Sequence, residues 1–215
     1  MCGKFTQMMT WGELIELADL QGAPAGGIET VTPMRFAKVI ALDGEGRRRS
    51  VRMRWGLVPP GAKDPMSAKP HIHARAESLD AKPTFRDAFR HRRGLIAATT
   101  FNEGREITPT KTEQHILTPL DGRPVAIAVI WERWCERQGS SLLSFAMVTV
   151  PPNRLIGTIT DRMPALIEDR DWAKWLGEEP ASAEELKAML RPSTRALDMR
   201  KAGKPDPSKD RPTLF

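Results

Sequence analysis

The chain of 215 residues is 40% hydrophobic and 28% charged, which fits one globular domain and excludes disorder throughout. Two cysteines, no apolar run near the roughly 18 residues of a membrane helix, and no basic-then-apolar leader argue against a secreted disulfide scaffold and a membrane span, so the expectation is a soluble, cytoplasmic protein. A formal net charge of +6 and a sequence pI near 9.6 favour a polyanionic partner, nucleic acid first.

Thr10 as N-cap, with Glu13 three residues on, forms a capping box ahead of Leu14, Ile15 and Leu20 and predicts a helix over 10–20. Residues 21–33, rich in Gly and Pro, read as loop. Over 51–58, Val51, Met53, Trp55 and Leu57 alternate with Arg52, Arg54 and Gly56, the period of a strand with a basic outer face. Trp55 is then a core residue rather than a base-stacking platform. Phe85 and Phe89, with Arg86 and Arg90 on another side, predict a short helix over 84–92. Strands follow at 94–99, 115–118, 124–131 and 143–150, too closely spaced for βαβ repeats. Helices return at 169–176 and at 182–190, the second opened by a Ser182 and Glu185 capping box. Cys135, just past a strand, reads as a small, buried, inert side chain.

The expected architecture is a single α+β domain over 1–195, with a mixed or antiparallel, barrel-like β core flanked by short helices. A basic, flexible tail over 196–215 lacks the apolar content to fold. Basic residues gather in three groups, Arg47 to Arg54, Arg86 to Arg93 and Arg195 to Arg211.

Chemistry begins at Cys2. Removal of Met1 leaves a cysteine with both a thiol and a free α-amine, a 1,2-aminothiol. The amine, with a pKa of about 7.7 to 8.0, condenses with an aldehyde to an imine, and the thiol closes a thiazolidine ring on it. An internal cysteine has no such route.

Several motifs in order then carry a resemblance. Met1-Cys2-Gly3-Lys4-Phe5 is similar to an M-C-G-R-F start, Arg54 to Pro59 to R-W-G-L-I-P, and Ala74-Arg75-Ala76-Glu77 to A-R-A-E. Arg93 to Glu103 follows R-C-L-I-P-A-x-G-F-Y-E, Trp131 to Trp134 follows W-E-x-W, and Asp161 to Pro164 is D-R-M-P. Over roughly residues 1–190 the chain resembles the SOS-response-associated peptidase (SRAP) domain family, whose members sense abasic sites in single-stranded DNA. The resemblance implies a covalent DNA–protein crosslink in which Cys2 attacks the ring-opened sugar aldehyde. It implies Glu103 as the proton-moving carboxylate. It further implies a DNA-contact set of Gly3, Lys4, Arg75, Arg86, Thr149 and Arg162, with Arg75 forked onto phosphate and Arg162 either doing likewise or bracing its own turn. The implied partner is single-stranded DNA containing abasic sites, met by a monomer that is nucleoid-associated when bound, with no cofactor, no metal and no membrane.

Two positions depart from the family. His73 stands where an asparagine precedes A-R-A-E, and Thr160 where a histidine precedes D-R-M-P. Loss of that imidazole removes a proton shuttle, which His73 could supply from the facing motif. Asn102 and Gly104 flank Glu103 where the family carries aromatics, so a base-stacking surface is expected to be missing. His71 and His73 have the spacing of two metal ligands, but no third His or Cys completes a site. Two other functions stay open: a non-covalent single-strand-binding module that has lost efficient crosslinking, and a cysteine-dependent peptidase acting on its own N-terminus.

Overall fold

The computed structural model describes residues 2–7, 18, 29–65, 69–136 and 139–203. In chain order the first six strands are β1 (Lys4–Gln7), β2 (Glu29–Val31), β3 (Phe36–Leu42), β4 (Arg48–Trp55), β5 (His73–Arg75) and β6 (Arg93–Ala98). The other six are β7 (Thr100–Thr108), β8 (Lys111–Pro119), β9 (Val125–Cys135), β10 (Ser141–Val150), β11 (Met163–Pro164) and β12 (Leu197–Lys201). Among the described residues three short α-helices flank them, α1 (Pro83–His91), α2 (Trp172–Leu176) and α3 (Ala183–Met189).

Five strands close a barrel in the order β10-β4-β3-β6-β9, with β9 pairing back onto β10. All of its seams are antiparallel except β4 on β10, so the α+β, barrel-like core expected from strand spacing is what forms. Every residue of β6 is buried, which explains its unbroken apolar run: it has a packed neighbour on both faces. Gly94 sits where β3 crosses closely. A Cβ there would lie 2.7 Å from Val39 Cγ1 and 3.0 Å from the Ile40 carbonyl oxygen.

A second, antiparallel sheet runs β12-β8-β7-β1-β2. Phe5 faces Phe101 across its β1–β7 seam, and both are fully buried. The buried Gln7 side chain ties this sheet to the barrel by donating to the carbonyls of Lys38 (3.0 Å) and Ala97 (3.2 Å). Arg93, also buried, donates to the carbonyls of Phe89, Arg90 and Trp175, and so pins the C-terminal ends of α1 and α2 to the barrel. The Ser182–Glu185 capping box forms as expected.

Three expectations need correction, and one strand has no counterpart among those expected. Arg54 is buried, not on an outer face, because its guanidinium reaches the Pro65 carbonyl at 3.1 Å. Cys135 is exposed: β9 runs four residues past Trp131, and alternation along it puts Trp134 inside and Cys135 outside. Residues 100–108 form a strand despite their polarity, because β7 is flanked by β1 and β8. The domain does not stop at 195, since Leu197 is buried and residues 197–201 pair with β8 from Pro119 back to His115. The helix expected over 10–20 lies, apart from Ala18, outside the described residues. Among the described residues, no helix is long and apolar enough to cross a membrane.

Candidate active site

Cys2 and Phe5 are buried beside the second sheet. Lys4 pairs with Asn102, so the same register carried one step back sets Gly3 against Glu103. Cys2 is 1% exposed, and its Sγ lies 3.5 Å from the Lys4 carbonyl oxygen. The backbone N–H of Asn102 favours the thiolate, an influence that residue patterns do not reveal. Burial, and next the charge of Glu103, push the Cys2 thiol well above the usual cysteine range.

Glu103 is fully buried on β7. Burial drives its carboxyl up to about 7; the positive amino terminus and the backbone N–H of Cys2 pull it down, and Asp161 adds a further upward push. The group is therefore poised between acid and carboxylate near neutral pH, the condition under which one residue can both give and take a proton. Asp161 brings the D-R-M-P segment to the same place, a role the sequence did not suggest.

From the barrel side, β5 presents His73. Its Nε2 lies 2.7 Å from the Cys2 carbonyl oxygen. A carbonyl only accepts, so Nε2 carries the proton, and burial holds the ring neutral by lowering its pKa. The imidazole thus fills a place that an amide N–H donor could also fill, which gives the His73 departure a physical reading. The Trp55 ring stands edge-on to His73 at 6.1 Å, stacks on Phe145 at 6.2 Å and tilts against Phe5 at 5.2 Å. Its Nε1 is bonded to the Ile72 carbonyl, so Trp55 is a buried wall of the pocket.

The cationic residues divide into two kinds. Lys4, Arg75 and Arg86 are exposed; Arg75 stands two positions along β5 from His73 and so shares its face. Arg162 is buried, forked onto both carboxylate oxygens of Glu77 (2.7 and 2.9 Å) and bonded to the Thr149 carbonyl at 2.6 Å. Thr149 is itself buried, pairing with Arg75 on one side and Pro164 on the other. Thr160 is half-buried and bonds through its backbone to Ile156. A side chain at position 104 would require its neighbours to shift: a Cβ there would meet Thr112 Cγ2 at 2.5 Å and Gln114 Nε2 at 3.0 Å. His71 and His73 do not converge, since His71 packs edge-on to Phe85 at 5.3 Å. Among the described residues no group of three His, Cys, Asp or Glu side chains is arranged around a common point for a metal ion.

Fold and site together define a small β-barrel protein in which the buried thiol of Cys2 lies close to the buried carboxyl group of Glu103. The family model described as SOS response associated peptidase (SRAP) matches residues 1–204, and the chain belongs to this family. It is 33% identical over 197 residues to the abasic site processing protein YoqW of Bacillus subtilis, covering 89% of this chain and 87% of that one. YobE of the same organism, also named an abasic site processing protein, is 33% identical with 89% of each chain covered. A crystal structure from Bordetella bronchiseptica matches with a TM-score of 0.77 at 23% identity, over 94% of this chain and all of that one, a likeness of fold.

Proposed function

We propose that this protein senses abasic sites in single-stranded DNA and traps them covalently through Cys2 once Met1 is removed. The observation that carries the reading is the burial of Cys2 beside the fully buried Glu103, close enough for the carboxylate charge to raise the Cys2 thiol. After removal of Met1 the Cys2 nitrogen is the α-amine, beside a group titrating near neutral pH. The names of the similar B. subtilis proteins support the substrate class.

The amine lone pair adds to the aldehyde carbon of the ring-opened sugar, and a proton passes from nitrogen to oxygen to give a carbinolamine. Protonated Glu103 donates to the departing hydroxyl, water leaves and a protonated imine remains, paired with the Glu103 carboxylate. That carboxylate then takes the thiol proton as Sγ attacks the imine carbon, and the C=N electron pair returns to the nitrogen, which keeps its own proton as the ring closes. One aldehyde and one aminothiol give one thiazolidine and one water. A thiol held above its usual range needs such a base, because little thiolate is present otherwise. His73 fixes the Cys2 carbonyl during these steps. Arg75, on the same strand face, is placed to take a flanking phosphate.

The test is incubation of purified protein, with Met1 removal checked by intact mass, with a single strand bearing one abasic site. A heat-stable shifted band is expected with the wild type and is expected to vanish in Cys2→Ala. Cys2→Ser retains the amine and is expected to yield only a product trapped by borohydride. Absence of any adduct from correctly processed wild type would refute the proposal.

A further inference from the structure

We infer that the bound strand leaves the Cys2 pocket along the exposed face of α1 and ends in the cavity at that helix's C-terminal end, with Lys82, Arg86 and Arg90 forming a phosphate track. The inference rests on the DNA-binding reading above and adds the path of the strand beyond the lesion.

The path is continuous. His73 touches Cys2, and His71, two residues earlier, packs its ring against Phe85 in the first turn of α1. Lys82 and Lys69 are close enough to His71 to disfavour its charge. From Lys82, the N-cap of α1, the exposed cations recur every fourth residue at Arg86 and Arg90, while Phe85, Ala88 and Phe89 are buried on the other face. One cation per turn gives a spacing of about 6 Å along a straight line. Arg86 has a weak neighbour in Asp87 at 3.9 Å, whereas Lys82 and Arg90 make no ion pair among the described residues.

The far end is also built for an anion. A cavity of about 470 Å³ is lined there by Arg90, His91 and Trp131, with Asp43 also in its lining and Arg92 held by its ion pair with Glu132. Asp43 is already held by Arg47 and Arg49 of its own hairpin, so its carboxylate is neutralised. Carbonyls at a helix C-terminus would ordinarily repel phosphate, but Arg93 donates to those of Phe89 and Arg90 and cancels that field. The cavity of about 440 Å³ around Arg123 and Arg195 is a weaker candidate, since Asp169 and Asp121 occupy those guanidinium groups.

The experiment measures binding of fluorescent, undamaged oligothymidylate, short and long, across a salt series. For the long strand, Lys82→Ala/Arg90→Ala is expected to lower the slope of log K against log salt by about 1.4, two phosphates at about 0.7 each. The short strand, which fills only the pocket, is expected to bind unchanged, and Arg90→Lys to keep the wild-type slope. An unchanged slope in the folded double variant, or equal losses for both strands, overturns the track. Crosslinking to abasic DNA is read separately. Wild type that fails to crosslink while the slope falls refutes the trapping chemistry and leaves the track standing; the converse pattern refutes the track alone.

Discussion

His73 donates its Nε2–H to the carbonyl oxygen of Cys2 across 2.7 Å, tying a barrel strand to the residue that opens the second sheet. The bond joins the two sheets at the reacting residue, so it governs both where Cys2 sits and how the ring titrates.

His73→Asn is therefore expected to retain crosslinking within a few fold, because an amide can donate to the same carbonyl. His73→Ala leaves that carbonyl unpaired, a loss of about 1–3 kcal/mol, and is expected to lower both stability and crosslinking rate. The ring's pKa is depressed by burial, so its contribution to stability is complete above the unfolded value near 6.5 and is lost as pH falls below it. Chemical denaturation of wild type and His73→Asn at several pH values checks this: the two curves are expected to diverge only on the acid side, with wild type losing more.

Crosslinking itself is expected to follow a bell-shaped pH profile. The neutral amine is gained as pH rises toward about 7.7–8.0, and protonated Glu103 is lost as pH rises through about 7. The maximum then falls between these values. Single-turnover rates by gel shift check it, and Glu103→Gln is expected to slow the reaction by about 100-fold or more and to abolish the alkaline limb.

How much of this was legible in the sequence follows from what each residue's position depends on. Cys2 and Glu103 could be singled out because ordered motifs surround them, and Trp55 as core because alternation of period two is a local signal. The helix of 83–91 was likewise local, in the spacing of Phe85 and Phe89. Burial of Glu103 was not, since a glutamate beside Gly104 in a polar stretch is buried only when β1 and β8 close over β7. The same holds for Arg54, Arg162 and Cys135: each side chain's partner or exposure is set by segments distant in the chain or by how far a strand runs. The contact from His73 to Cys2 spans 71 residues and has no pattern to announce it.

Gly94→Ala tests the close crossing of β3 over β6. The added methyl would meet the Ile40 carbonyl at 3.0 Å, and backbone cannot rotate away as a side chain can. Destabilisation of about 1–3 kcal/mol is expected, measured as a lowered denaturation midpoint with an unchanged slope against denaturant. Gly46→Ala, with open space around it, serves as the contrasting substitution, its cost limited to backbone strain at φ 74°.

Glu103→Gln is also expected to make the protein more stable while slowing its crosslinking. The folded state binds the Glu103 proton more tightly than the unfolded chain, its pKa rising from 4.5 to about 7, so the stability this proton contributes is complete below about 4.5 and gone above 7. At pH 8 the wild type therefore carries a buried carboxylate at a cost of about 3 kcal/mol, since each tenfold difference in proton affinity between the two states is worth about 1.36 kcal/mol. Glutamine keeps the size and shape of the side chain and has no charge to desolvate. Denaturation midpoints are expected to separate at pH 8 in favour of the variant and to converge by pH 4.5. A variant less stable than wild type at pH 8 would show that the charge is compensated in the fold, and that desolvation of Glu103 is not what holds a proton there near neutral pH.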